Sequence, residues 1–540
     1  MRTRRALSRR QFLELSTVAA AGAATASLAT RRSAIAAPLS AQSATPAATD
    51  AQAGGTLNYA EAGDFEDFNP WGFSAVNQGA YNQVFSRLLW KDADGETHPD
   101  IAESWQLSDD NLSLTLTLRQ DAKWHDGKAV TAEDFVAMFG YLTDEALQEY
   151  EGVSKIQGLF EPVTDVVAVD EYTLEVRLAT PVPYVTDILD YWFAIRIEDK
   201  ADPQFVQSLP VGTGPFTLAE WEPTQFARMP RFPDFYQQGL PHLDEIMFRR
   251  LDRAETLVPN LESGTISGVL LTAPGDVEPL QENDDYTVEI VNASGSIFNI
   301  IVNVNKPPFD QKEVRQALSY SLNREAMAET AFFGVSTPIT TPFFTPSSLA
   351  YREDLVLAHP FDLDMAASLL EGAGVSDLEM TINVTPVWAQ MKLFCLIWQA
   401  DLQKIGVTLT VNEVEAAQFY DIGGAGDLLG NDVHPWLVGR TTRDPAIFFA
   451  TQSIYRGGAD NRFGYVNEEL ETLVAQGAAE VDEAARREIY QRLNELVVDA
   501  SHIIQVATDP RIWVFSNTVS GMYFDLGGNL RADMITVAQS

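Results

Sequence analysis

Pro99-Asp100-Ile101-Ala102-Glu103-Ser104-Trp105, then Leu118-Arg119-Gln120-Asp121-Ala122-Lys123-Trp124-His125-Asp126-Gly127-Lys128, then Thr131-Ala132-Glu133-Asp134-Phe135, follow one another with short gaps. Just before the second stretch, Leu112, Leu114, Leu116 and Leu118 alternate with Ser113, Thr115 and Thr117. A period of two predicts a strand with one buried and one wet face. Asp126-Gly127 is a turn, and Thr131 followed by Glu133 and Asp134 opens a helix with an N-cap hydroxyl and early acids. Leu174, Val176 and Leu178 alternate again until Pro181 and Pro183 stop the strand. Residues 90–195 therefore read as a compact, strand-rich unit with one or two helices.

Working outward, residues 37–54 are mostly Ala, Ser, Thr, Gln and Pro, a flexible linker, and order begins at Gly54-Gly55-Thr56-Leu57-Asn58-Tyr59-Ala60. From about 196 the texture is mixed α/β. Val211-Gly212-Thr213-Gly214-Pro215-Phe216 is a turn entering a strand. A helix runs from Asp310-Gln311-Lys312-Glu313 to Leu322; another opens at Asp362 or Asp364 and stops at Gly372 and Gly374. Residues 387–404 form an amphipathic helix before the strand Val407–Val414, and two acidic helices lie near 467–479 and 483–499. No fixed period recurs, which excludes a solenoid. At roughly 150 residues per domain the chain holds three or four structural units.

The first residues carry a twin-arginine pattern, Ser8-Arg9-Arg10-Gln11-Phe12-Leu13-Glu14, with a weakly apolar run from Leu15 to Leu28 and a small-residue site at Ala34-Ile35-Ala36. This is an export signal for residues 1–36, too polar for a stable span. The remainder is expected in the periplasm or outside the cell, or tethered to the membrane if the signal is retained. The net charge is −39, and removing seven arginines and one glutamate leaves −45. Such a field repels phosphate backbones, which excludes nucleic acid as a partner. Cys395 is the only cysteine and reads as a buried inert thiol. Six scattered histidines and the absence of H-E-x-x-H predict no metal site and no cofactor.

Four of these stretches, in order, resemble the extracellular solute-binding proteins of family 5, the peptide, oligosaccharide and nickel receptors of ABC importers. The opening stretch is similar to "P-x-L-A-x-S-W … L-R-x-x-x-x-F/W-x-D-G-x-x-x-x-A-x-D-V/F", and Val211–Phe216 to "V-G-T-G-P-Y/F". Asn303-Val304-Asn305-Lys306-Pro307-Pro308-Phe309-Asp310, running on to Val314-Arg315-Gln316-Ala317-Leu318, is similar to "N-x-x-x-P-P-F-x-x-x-x-V-R-x-A-L". The resemblance implies an α/β, two-lobed periplasmic-binding-protein fold (class II, cluster C type) with an extra subdomain on lobe I. Lobe I would combine 55–89, 196–297 and 506–540; the extra subdomain would be 90–195 and lobe II 298–505. Function would be capture of a small polar solute, an oligosaccharide or a peptide, by hinge closure, and delivery to ABC permease subunits by a monomer. A secreted hydrolase acting on glycosides or peptides is the alternative, although no catalytic constellation stands out.

By the same resemblance three segments line the cleft. The loop Asn69–Asn77 offers Trp71, Phe73, Ser74, Val76 and Asn77. The second, Thr385-Pro386-Val387-Trp388, offers Trp388 at a helix start. The third, His434–Pro445, offers Trp436, Gly439, Arg440, Thr441 and Asp444. Peptide-binding relatives carry "W-x-x-D-x-x-x-P" here, whose aspartate pairs with the peptide ammonium, whereas Thr441 stands four residues before Pro445. A neutral hydroxyl does not replace that charge-assisted bond. Arg440 and Arg443 are candidates to meet a carboxylate or sugar hydroxyls, with solvation the expectation for at least one. Together with Trp71, Trp388 and Trp436 this tilts the reading toward sugars.

Overall fold

The computed structural model describes residues 54–62, 68–70, 78–144, 158–197, 210–223, 225–251, 253–292, 295–425, 428–439, 443–451, 455 and 464–538. Residues 1–36, expected to be an export signal, nearly all of the expected linker and residues 71–77 lie outside them. Among the described residues no helix is long and apolar enough to cross a membrane.

The strand expected from the leucine alternation is Ser113–Leu118, with Leu114, Leu116 and Leu118 buried. Leu112 lies outside it and is 39% exposed, because the Ser108–Asp110 turn holds its N–H on the Asp110 carboxylate. Four antiparallel strands build this sheet in the order Ala102–Leu107, Ser113–Leu118, Thr173–Leu178, Val163–Asp170. The helix Ala132–Leu142 covers it with Phe135, Met138 and Leu142. Asp134 accepts both the N–H (2.7 Å) and the hydroxyl (3.0 Å) of Thr131, which fixes the helix start. Trp124 is buried, whereas Trp105 is half-buried and packs from the rim.

The Val211–Phe216 turn clasps the helix Gln78–Val84. A Cβ on Gly212 would lie 2.0 Å from the Val84 carbonyl oxygen, so only glycine permits the approach.

Two larger sheets remain. The first has seven strands in the order Tyr286–Val291, Arg511–Ser516, Gly268–Leu271, Thr56–Ala62, Glu245–Leu251, Phe226–Pro230, Glu220–Glu222. The second has five, Thr408–Glu413, Glu379–Val384, Val433–Val438, Ile297–Val302 and Ile503–Thr508. The helix Ala389–Gln403 buries Phe394, Cys395 and Trp398 beneath the second sheet, and burial pushes the thiol of Cys395 well up.

The chain passes between these sheets twice, from Val291 to Ile297 and from Thr508 to Arg511. On each side the two passing strands pair antiparallel with one another. Between the sheets the Asp509 N–H donates to the Ser296 carbonyl at 2.8 Å. The two crossings thus form one double-stranded hinge. Ile297 and Val506–Thr508 lie in second-sheet strands, just across the limits expected from sequence.

Candidate functional site

Strand direction locates the cleft. Thr56–Ala62 is parallel to Glu245–Leu251 and Gly268–Leu271, and Arg511–Ser516 is antiparallel to Gly268–Leu271 and Tyr286–Val291. Four strands therefore end at one edge, the edge from which Val291 leaves for the hinge. Ligands of α/β sheets bind outside the carboxyl ends of strands. In the second sheet Ile297–Val302 is antiparallel to Val433–Val438, which is parallel to Glu379–Val384. The ends after Val384 and Val438 return to the hinge side as well. Glu61 and Thr272 from one sheet, and Trp388 and Gly439 from the other, thus arrive at the same interlobe edge. Gln390 donates across it to the Thr272 carbonyl at 3.3 Å.

Trp388 is half-buried at the N-terminus of Ala389–Gln403, and its indole N–H donates to the Tyr420 hydroxyl at 3.3 Å. Beside it Val387 (56%) and Tyr420 (47%) leave apolar surface exposed. These side chains make an apolar wall suited to a ligand's hydrocarbon or ring surface. Trp436 is half-buried, 6.0 Å from the near-parallel ring of Phe419, and a Cβ on Gly423 would lie 2.2 Å from its ring. It supports the wall from behind.

Asp444 is held by protein groups: its carboxylate accepts from Arg486 at 2.7 Å and from the Ala446 N–H at 2.9 Å. Burial, with Asp187 nearby, lifts it to about 6 against the pull of Arg486. Arg443, for which solvation was one expectation, is buried on Asp190 with its guanidinium 4.6 Å from the Tyr191 ring. Asp190 in turn accepts from Arg87 at 2.6 Å, and Arg87 reaches Asp525 at 2.7 Å. Burial raises the Asp190 carboxyl, but Arg443 and Arg87 outweigh it and hold it below its ordinary value. Nearby the Arg486 guanidinium lies 5.7 Å from the Tyr184 ring, and Ile447 joins the core of the four-stranded unit. The segment that follows 440–442 is therefore anchored to the extra subdomain.

Trp71, Phe73, Ser74, Val76, Asn77, Arg440 and Thr441 lie outside the described residues. Sequence reasoning passed over Glu61. It stands in phase with Leu57 and Tyr59, so it shares their buried face, and an acid at such a position is the signal that marks it. It is 3% exposed, its Oε1 has no hydrogen-bond partner, and burial pushes it to about 8 with Arg511 opposing. Among the described residues no group of acidic, histidine or cysteine side chains could hold a metal ion.

Comparison with known proteins agrees with this layout. The family of bacterial extracellular solute-binding proteins, family 5, matches residues 96–446. The glutathione-binding protein GsiB of Pectobacterium atrosepticum is 27% identical over 470 residues, covering 83% of this chain and 87% of its own. Among solved structures, the ABC transporter substrate-binding protein CtaP of Listeria monocytogenes superposes with a TM-score of 0.79 at 24% identity, covering 90% of this chain and 100% of its own. A dipeptide-binding protein from a Pseudoalteromonas species, in complex with Met-Leu, gives 0.75 at 21% identity with the same coverage.

Proposed function

We propose, for a chain that belongs to the bacterial extracellular solute-binding proteins of family 5, that it captures a short peptide or peptide-derived solute between its lobes and delivers it to ABC permease subunits. The observation that carries this is the double-stranded hinge, with the strand ends of both sheets converging beside it. Such a joint lets two lobes rotate as bodies while both ladders stay paired, so closure costs little internal packing. Closure expels water from the edge where Trp388 and Tyr420 stand, and affinity comes largely from that closed state. Family membership places the protein outside the cytoplasm as a transport receptor and sets aside the hydrolase alternative.

The tilt toward sugars gives way to peptides because the similar GsiB is named for binding glutathione and the similar Pseudoalteromonas protein holds Met-Leu. Trp71, Phe73, Ser74, Val76, Asn77, Arg440 and Thr441 are proposed to complete the wall begun by Trp388. The receptor acts as a monomer and leaves the cytoplasm by the twin-arginine route. Arg9 and Arg10 changed together to Lys should block export, and normal secretion of that variant would refute the route.

Thermal shift of the exported chain with glutathione, dipeptides and oligosaccharides tests the ligand class. A ligand at 100 times its dissociation constant stabilises the native state by ~2.7 kcal/mol. A shift with oligosaccharides and none with peptides would overturn the peptide reading.

A further inference from the structure

Every buried aspartate or glutamate among the described residues has a hydrogen bond or an ion pair, with one exception. Asp190 accepts from two guanidiniums, Asp525 from Arg87, Asp432 from Lys306 and Asp100 from Tyr236. Glu61 has neither, and its Oε1 is without a donor. Beside it the Tyr59 hydroxyl, 1% exposed, also has no partner. The two oxygens face the same glycine: a Cβ on Gly79 would lie 2.4 Å from Glu61 Oε1 and 3.2 Å from the Tyr59 hydroxyl. The cation in electrostatic range is Arg511, whose Nε is committed to the Gly527 carbonyl at 3.1 Å. Leaving a carboxyl and a phenol unsatisfied in the interior is destabilising, and nothing in the packing of Thr56–Ala62 requires an acid there.

Position gives this pair a use. Glu61 is the penultimate residue of a central parallel strand, at the end that opens on the hinge edge. We infer that Glu61, with the Tyr59 hydroxyl beside it, is a binding subsite for a cationic nitrogen of the ligand, an ammonium or guanidinium group. The inference rests on the receptor reading and deepens it by naming the charge of the ligand group. The chemistry balances simply. In the ligand-free protein Glu61 is largely protonated at pH 7, being lifted to about 8 by burial. An arriving ammonium makes a charge-assisted bond with the carboxylate, and the carboxyl proton leaves to solvent. The Tyr59 hydroxyl accepts a second N–H and keeps its proton, since its own acidity is suppressed by burial and by Glu61.

Two experiments on the exported chain decide this. The first needs no ligand: treatment at pH 7 with a water-soluble carbodiimide and glycinamide, then peptide mapping by mass spectrometry. A carboxyl that is protonated and reachable by a small amine is amidated, so Glu61 should be modified. Modification confined to surface acids would mean a sealed core group and overturn the subsite. The second is calorimetric titration with glutathione and Met-Leu, in buffers of different ionisation enthalpy, of wild type, Glu61→Gln and Tyr59→Phe. Wild type should release close to one proton on binding. Glu61→Gln should lose affinity at least tenfold, ~1.4 kcal/mol, and release none; Tyr59→Phe should lose about threefold and keep the release. Unchanged affinity and proton release in Glu61→Gln would overturn the subsite while the receptor stands. Binding of neither probe by wild type would count against the peptide reading, and the labelling result would still decide Glu61.

Discussion

Asp190 and Glu61 are two buried acids on the N-terminal half of the chain, and their surroundings are opposite. Asp190 is shared between Arg87 and Arg443, so one carboxylate ties the segment before the four-stranded unit to the segment that follows 440–442. Glu61 is as deeply enclosed and has only the distant pull of Arg511. The first is held ionised and the second is held neutral. A fold places charge inside for two reasons, to join parts of itself or to meet something that arrives later. Partner count separates the two.

The largest effect expected from breaking this contrast is at Asp190. Asp190→Ala takes the carboxylate from buried Arg443 and one of the two from Arg87, and should cost about 3–5 kcal/mol, read by denaturant unfolding. A loss below about 1 kcal/mol would mean the network joins nothing. The opposite sign is expected at Glu61. Its folded value lies above the ordinary carboxyl range, so stability is fullest below pH 4.5 and is lost as pH rises from there to about 8. Glu61→Gln should therefore be more stable than wild type at pH 8, by about 2 kcal/mol or more, and nearly equal at pH 4.5. A variant that tracks wild type across that window would show Glu61 to be solvated.

Smaller effects sharpen the picture. Trp388→Ala should weaken ligand binding at least tenfold, ~1.4 kcal/mol, with the unfolding transition nearly unchanged; unaltered affinity would remove Trp388 from the wall. His434 is a control for what an orphaned polar group means away from the cleft. Both its ring nitrogens are unpartnered, its ring lies 4.5 Å from that of Phe419, and burial alone holds it at about 3. His434→Phe should be neutral or stabilising by about 1 kcal/mol and leave ligand affinity intact. Loss of binding there would spoil the rule drawn from Glu61.

Much of the architecture was legible along the chain because its signals are local. The alternation at 114–118, the helix start at Thr131, the glycine turn at 212–214 and the helix Ala389–Gln403 each declare themselves within a dozen residues. The site was less legible because its decisive contacts are remote. Asp190 meets partners 103 and 253 residues away, and no pattern around Arg443 shows that it points inward. Leu112 misled because its N–H is taken by the Asp110 carboxylate, so that only its carbonyl, which accepts from the Leu178 N–H at 2.9 Å, stays on the ladder whose period it continues. Glu61 was hidden in plain view, since its phase with Leu57 and Tyr59 is visible but only the fold shows that nothing pairs with it.

The strand Arg511–Ser516 lies between Gly268–Leu271 and Tyr286–Val291 in the first sheet. Those two strands are synthesised more than two hundred residues earlier and do not pair with each other. As the polypeptide emerges, the second sheet has all five of its strands once residue 508 is out, while the first still lacks the strand that joins Tyr286–Val291 at its edge to the other five. The first lobe can only close around the last part of the chain to be made. Until then two strand edges stand unpaired, a state open to wrong partners. A chain cut short before Arg511 should keep the second sheet's full set of strands, leave Tyr286–Val291 detached from the rest of the first sheet, and lose one of the hinge's two crossings.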